Sequence, residues 1–187
     1  MINPLGDGIG SVELINHMGD DLMVVNAARV SYDKVSTYNA DGSLKDSDKK
    51  IIKYMGEHNH WTPFGHPQLQ FRIKMPIFIA REWYRHSIGV VRNEVSRRYV
   101  KSEPEFYVPD VIRNPDPKNK QGSMGEHIDS FIHASNMRQT AKAAVDQYNK
   151  LIESGVAAEQ ARVILPQGMY TEFIETGSLY FYAHLCK

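Results

Sequence analysis

The sequence predicts an α+β protein, a mixed or antiparallel sheet packed with helices. Gln68, Gln70, Arg72 and Lys74 alternate with Leu69, Phe71, Ile73 and Met75, the period of a strand with one buried face. Residues 126–154 repeat Ile128, Phe131, Ile132, Ala141, Ala144, Val145, Tyr148, Leu151 and Ile152 at helical spacing. That run stops at Gly155, a residue suited to the position just past a helix. Strand-like and helix-like segments interleave along the chain, with no internal repeat and no low-complexity tract.

In chain order, Ser11 to Met18 alternates as a short strand, and Asp20 and Asp21 offer an N-cap for the helix LMVVNAARV. Residues 33–46 are polar and carry an Asp41-Gly42 turn signal. Ser47 is placed to cap a helix presenting Ile51, Ile52, Tyr54 and Met55, which ends between Gly56 and His60. After the alternating strand, Pro76 suits a first helical position, and IFIAREWYRH is apolar around most of its circumference, which predicts a buried helix. Arg81 and Arg85, and Glu82 and His86, would then form two adjacent charged rows that need partners or a ligand. Residues 101–122 contain Pro104, Pro109, Pro115 and Pro117 and read as a surface loop. A short helix over 157–163, a break at Pro166, a strand over 169–176 and the apolar stretch SLYFYAHL complete the chain.

The 187 residues hold 22 Lys and Arg against 22 Asp and Glu, and a net charge of zero argues against a nucleic-acid binder. With 42 % hydrophobic and 24 % charged residues, the composition is that of a globular protein, and the length suits one domain over residues 1–187. No apolar run approaches the ~18 to 20 residues of a membrane span, and MINPLGDGIG lacks the regions of a signal peptide. We therefore expect a soluble, cytoplasmic protein without membrane partners. The single cysteine, Cys186, allows neither an internal disulfide nor a cysteine-based zinc site.

Chemistry concentrates between Arg85 and Tyr99. Arg85, Arg92, Arg97 and Arg98, with His86, Glu94, Ser87 and Ser96, suit a phosphorylated ligand, because guanidinium binds oxyanions bidentately and keeps its charge. The alternative is that these arginines cap carbonyls and pair with acids such as Glu94. His58, His60 and His66 match no usual metal spacing, and no metal is expected. One of them can stack on or hydrogen-bond a bound ring; otherwise they decorate a turn fixed by Thr62-Pro63. Gly6, Gly8 and Gly10 lack the spacing of a dinucleotide fingerprint, and there is no Walker lysine or nucleophile elbow.

The arginine-rich segment resembles the signature of the flavin-dependent thymidylate synthases, the ThyX family: Arg-His-Arg, a spacer, Asn-Glu, Ser, then Arg-Tyr. Four further blocks look like family blocks in family order: AARVSYDK from Ala27, HWTPFGH from His60, PIFIAREWYRH from Pro76 and ARVILPQGMYTEF from Ala161. The resemblance implies a homotetramer that binds FAD, deoxyuridine monophosphate (dUMP) and methylenetetrahydrofolate, with NADPH as reductant. Carried over residue by residue, it puts Ser31, His60, Thr62, Arg85, His86, Asn93 and Glu94 at FAD. It puts Glu82, Glu94, Ser96, Arg97, Arg98 and Arg162 at the nucleotide. Arg162 would stabilise charge developing on the pyrimidine, with Arg98 beside it on the phosphate or the ring. Ser96 reads as a binding hydroxyl, since no strong base neighbours it in sequence.

The chain departs from the family pattern in three places. Ser87 replaces the third arginine of the triplet and one extra residue precedes Asn93-Glu94, so Arg92 is expected to supply the missing charge to FAD. GSLYFYAHL replaces asparagine-bearing segments, and Lys187 falls before the family's C-terminal helical region. A non-catalytic relative that only binds flavin or nucleotide, and a hydroxymethylating enzyme acting on a pyrimidine nucleotide, are the competing readings. For subunit contacts, Trp83, Tyr84 and Ile88 are the apolar candidates.

Overall fold

A computed structural model of the chain describes residues 1–100 and 102–186. Along the chain run β1 (Ser11–Met18), α1 (Asp21–Arg29), α2 (Asp46–Glu57), β2 (Gln68–Pro76), α3 (Ile77–Trp83) and β3 (Val90–Glu94). There follow β4 (Arg113–Pro115), β5 (Ser123–Glu126), α4 (Ser130–Glu153), α5 (Ala158–Ala161), β6 (Tyr170–Ser178) and α6 (Leu179–Leu185). Strands β1, β2, β6 and β3 form one sheet in that order, and β4 and β5 form a second. The residues cluster as two compact units: Met1–Ile73 with Trp83–Glu94 and Glu172–Lys187, and Lys74–Glu82 with Val95–Thr171. Among the described residues no helix is long and apolar enough to cross a membrane.

In the first unit, Asp20 caps α1 as expected, its carboxylate accepting the Met23 N–H at 2.9 Å. That amide, and then the Tyr38 hydroxyl, hold the Asp20 carboxyl below its ordinary range. Val24 and Val25 point into the core. Helix α2 starts one residue before the expected cap: Lys45 occupies the cap position without a side-chain bond, and Ser47 lies inside the helix. Asp46 and Asp48 in the first turn suit the positive end of the helix dipole. The polar loop between the helices is tied down from both sides. Asn26 exchanges hydrogen bonds with the Ser36 backbone at 2.7 and 3.1 Å, and Asp48, with no solvent exposure, accepts from the Ser36 hydroxyl and from Arg29.

Strand β3 pairs antiparallel with β6 and sets Arg92 directly opposite Glu175. Both side chains fall on the buried face, Glu175 with no exposure and Arg92 with 14 %. Trp83 and Tyr84 also turn inward. The Trp83 indole donates to Glu175 at 2.9 Å and Tyr84 meets Phe173 edge-on at 5.2 Å. They are therefore spent inside the unit, whereas Ile88, the third subunit-contact candidate, is 91 % exposed.

In the second unit, Pro76 is the last residue of β2 instead of the first of a helix. The opening amides of α3 find acceptors elsewhere: Ile77 N–H donates to the Met169 carbonyl at 2.8 Å and Phe78 N–H to that of Gln167 at 3.1 Å. Helix α3 is short, with Ala80 its buried residue, and it ends at Trp83. Arg85 and His86 lie beyond it, so the expected charged rows do not form. The proline-rich stretch, whose first residue Lys101 lies outside the described residues, contains β4, which pairs antiparallel with β5. Helix α4 buries Ser130, Ala134, Ala141, Val145 and Tyr148. Ile128 precedes it and is 95 % exposed, and Phe131 and Ile132 are 82 % and 55 % exposed, so the expected core stripe begins only at Ala134.

Removing one partner from a buried ion pair strands the other, at a cost of about 3–5 kcal/mol. Asp48→Ala is accordingly expected to lower the urea-unfolding free energy by about that amount. Burial works to raise the Asp48 carboxyl, but the Ser36 hydroxyl and Arg29 outweigh it and hold the group below its unfolded value of 3.8. The stabilisation is thus present above that value and fades as pH falls through the lower folded one. Acid titration of stability should show this loss below about pH 4 in the native chain and a smaller loss in Asp48→Asn.

Candidate functional site

A cleft of about 860 Å³ opens in the first unit. Helix α1 brings Ala27, Ala28 and Arg29 to its wall, and the single-turn helix Val30–Tyr32 continues that wall with Ser31 and Tyr32. Asp33, at a left-handed φ of 53°, then turns the chain so that Lys34 also lines the cleft. Helix α2 adds Lys50, Ile51, Tyr54 and Met55, residues spaced to share one helical face. The turn Thr62–Gly65 closes the rim with Thr62 and Pro63, flanked by His60 and His66.

The three histidines singled out from the sequence separate here by local geometry. His58 stacks on Tyr54 at 4.1 Å and its Nδ1 meets the Tyr54 carbonyl at 2.9 Å, at the end of its own helix. Asn59 takes a left-handed φ of 56°, and the His60 N–H returns to the Met55 carbonyl at 2.9 Å. That reversal carries His60 to the cleft, its ring 5.9 Å from that of Tyr54.

Ser31, His60 and Thr62 therefore share one pocket, although the sequence separates them by about thirty residues. Sequence reasoning missed Arg29, Lys34, Lys50 and Tyr54 as wall residues, whereas His66 was among the three histidines offered for a bound ring. Arg29 and Lys34 lie inside the block AARVSYDK, which was the available signal; Lys50 lies in α2, outside every such block. Arg29 is engaged by Asp48, while Lys34 and Lys50 make no ion pair among the described residues. The wall thus offers two uncompensated ammonium groups, hydroxyls and aromatic rings. That donor set matches a planar, phosphate-bearing ligand, and the volume accommodates one.

Arg85, His86, Asn93 and Glu94 lie in the same unit, all exposed. Arg85 and His86 occupy the connection between α3 and β3, where Gly89 adopts φ 76° and its carbonyl accepts the Ser178 N–H at 3.4 Å. Arg92 is occupied otherwise than expected. Its Nε bonds the Glu175 carboxylate, its Nη2 donates to the His86 carbonyl at 2.7 Å, and its guanidinium lies 5.2 Å from the Tyr84 ring centroid. The guanidinium is thus engaged by a carboxylate, a backbone carbonyl and an aromatic ring of its own unit. Burial, and next the charge of Glu94, push the Tyr84 phenol well above its ordinary value.

Glu82, Ser96, Arg97, Arg98 and Arg162 fall in the second unit. The Ser96 hydroxyl accepts the Arg98 N–H at 3.4 Å, and the Ser96 carbonyl accepts from Tyr99 and Val100, so residues 96–100 fold as a tight turn. Arg98 rests over the Tyr99 ring at 5.1 Å, and Arg97 donates to the Ser102 carbonyl. Arg162 caps the C-terminus of α5 and opens the single-turn helix Arg162–Ile164; its Nε donates to the Glu159 carbonyl at 3.3 Å and its side chain is exposed. His127, Asp129 and His133 present possible metal-ligand atoms within 4.8 Å of one another. The His127 Nδ1 lone pair is taken by the Asp129 N–H at 3.0 Å, which leaves this ring no free acceptor in its neutral form.

Comparison with known proteins agrees with this picture. Residues 13–187 match the family model described as thymidylate synthase complementing protein. The chain is 42 % identical over 166 residues to a flavin-dependent thymidylate synthase of Kosmotoga olearia, covering 87 % of this chain and 69 % of the relative. It is 40 % identical over 179 residues to the enzyme of that name from Thermus thermophilus, covering 95 % of this chain and 63 % of the relative. It therefore spans roughly two thirds of the length of these relatives. A solved structure described as a UMP/dUMP methylase from Streptomyces cacaoi, bound with 5-Br dUMP, superposes with a TM-score of 0.81 at 31 % identity. That superposition covers 94 % of this chain and 76 % of the methylase. The chain belongs to the thymidylate synthase complementing protein family, the family of the flavin-dependent thymidylate synthases.

Proposed function

We propose that the protein is a flavin-dependent thymidylate synthase, converting dUMP to dTMP with FAD, methylenetetrahydrofolate and NADPH. One observation carries the reading: Ser31, His60 and Thr62, assigned to FAD by resemblance, line a single cleft. In this reading the cleft holds part of FAD. Lys34 and Lys50 face its phosphates, and Tyr54 and His60 offer flat surfaces to a ring. When bound, FAD supplies hydride transfer and delivery of the one-carbon unit to C5 of the uracil.

The chain's own residues bind, orient and neutralise. Arg162 faces the pyrimidine and stabilises negative charge as C5 becomes nucleophilic. Arg98 binds the nucleotide through its guanidinium, whose planar fork suits phosphate oxygens. Ser96 makes no bond to a histidine or carboxylate among the described residues, so it serves as a binding hydroxyl and not as a nucleophile. The exposed apolar side chains Ile88, Ile128 and Phe131 supply subunit contacts of a homotetramer. The protein works in the cytoplasm, where its nucleotide substrate is found.

The direct test is the visible spectrum with added FAD, then with dUMP, then with anaerobic NADPH. A flavin band that shifts with nucleotide and bleaches with NADPH is expected; a chain that leaves the FAD spectrum unperturbed would refute the reading. UMP, named with dUMP in the description of the Streptomyces cacaoi methylase, belongs in the same titration as a competitor.

Lys34→Ala and Lys50→Ala should each weaken FAD binding about tenfold, roughly 1.4 kcal/mol, and the loss should shrink at high salt. Arg162→Ala should reduce kcat about 100-fold or more while leaving FAD affinity in place. Phe131→Asp should shift the assembly toward smaller species in light scattering.

A further inference from the structure

The Glu175–Arg92 pair does more than join two strands. The connection from α3 to β3 carries Arg85 and His86, both exposed, and it is staked at three points. At its start the Trp83 indole donates to Glu175 Oε2 at 2.9 Å. In its middle the His86 carbonyl accepts from Arg92 Nη2 at 2.7 Å. Near its end the Gly89 carbonyl accepts from Ser178 N–H at 3.4 Å, the longest of the three. Two stakes run through one carboxylate, because Arg92 reaches the His86 carbonyl while its Nε is held by Glu175. Tyr84 and Phe181 flank the guanidinium, with ring centroids 5.2 and 5.8 Å away, and restrict where it can go.

We propose that Glu175 is a positioning residue: acting through Arg92 and Trp83, it fixes the backbone of the Arg85–His86 connection and so presents those two side chains to the flavin cofactor. The part concerning flavin rests on the function proposed above; the part concerning the connection does not. The arrangement also explains why a charge is buried here. A guanidinium making one bond along its own strand pair and one to a passing carbonyl spans a gap that no apolar side chain bridges.

Stability and positioning are separable in this design. Exchanging a buried ion pair for uncharged side chains of similar volume is often close to neutral for stability. In the double variant Arg92→Met with Glu175→Gln, the glutamine oxygen still accepts from Trp83, no charge is left buried alone, and of the three stakes only the arm to His86 is lost. The experiment compares this variant with the native chain in three measurements: thermal midpoint, amide hydrogen exchange across residues 84–89 without ligand, and FAD affinity by fluorescence titration. The expected result is a midpoint within a few degrees of native, exchange at least tenfold faster confined to residues 84–89, and FAD affinity weakened about tenfold.

Arg92→Lys with Glu175 retained restores a charge to the pair, so it should regain the midpoint that a single Arg92→Met variant loses. With one ammonium in place of a fork, it should recover the slow exchange only in part. Unchanged exchange in the double variant would overturn the proposal. So would a loosened connection with native FAD affinity. Native protein that binds no FAD at all would instead overturn the function proposed above, with the exchange comparison still deciding whether Glu175 anchors the connection.

Discussion

A carboxylate sealed from water has to be neutralised by something held as firmly as itself, and the first unit meets that requirement twice. Asp48 draws in Arg29 and Ser36, fixing helix α1, helix α2 and the loop between them, which together make most of the cleft wall. Glu175 draws in Arg92 and Trp83, tying the outer strand of the sheet to the connection that precedes it. Removing a partner from either centre leaves a lone charge in a low-dielectric interior, so each pair is costly to break even if its net contribution is small. The exposed groups of the candidate site are thus carried on backbone that buried ion pairs hold in place.

Much of the local structure was legible because local physics decides it. The alternation of Gln68 to Met75 sets the strand, Asp20 caps its helix, and Gly155, with φ 86°, stands just past α4. The apolar run after Pro76 misled because apolarity around a segment does not specify helix length. The first amides of α3 are satisfied by the carbonyls of Gln167 and Met169, far away in sequence, and the helix stops before the charged rows can form. Ile128, Phe131 and Ile132 look like core by spacing, yet their exposure depends on what else packs against α4, which periodicity cannot report.

The site was legible to a similar depth. Ser31, His60 and Thr62 were identified through ordered blocks, and the cleft unites them. Lys34 and Lys50 were not, since a lysine facing a cleft and a lysine facing water have the same sequence signature. The ion pair of Arg92 was hidden for a related reason: its partner is 83 positions along the chain and becomes visible only when β3 and β6 pair. A buried Glu in a strand, with hydrophobic and aromatic neighbours such as Phe173, Tyr182 and Phe181, was the one available hint, because such a residue demands a cation.

Each unit carries its own set of ligand-suited groups. Residues on helix ends and single turns of the first unit offer hydroxyls, ammonium groups and flat rings, suited to a large cofactor. The turn from Ser96 to Val100 and the single-turn helix that begins at Arg162 in the second unit offer exposed guanidinium groups, suited to an anionic, polarisable substrate. The most direct measurement of the proposed activity is product identity by mass spectrometry after incubating the protein with FAD, NADPH, methylenetetrahydrofolate and dUMP. A nucleotide heavier than dUMP by one methylene unit and indistinguishable from dTMP is the expected product. Recovery of unchanged dUMP from flavin-loaded protein, or of a hydroxymethyl nucleotide, would contradict it.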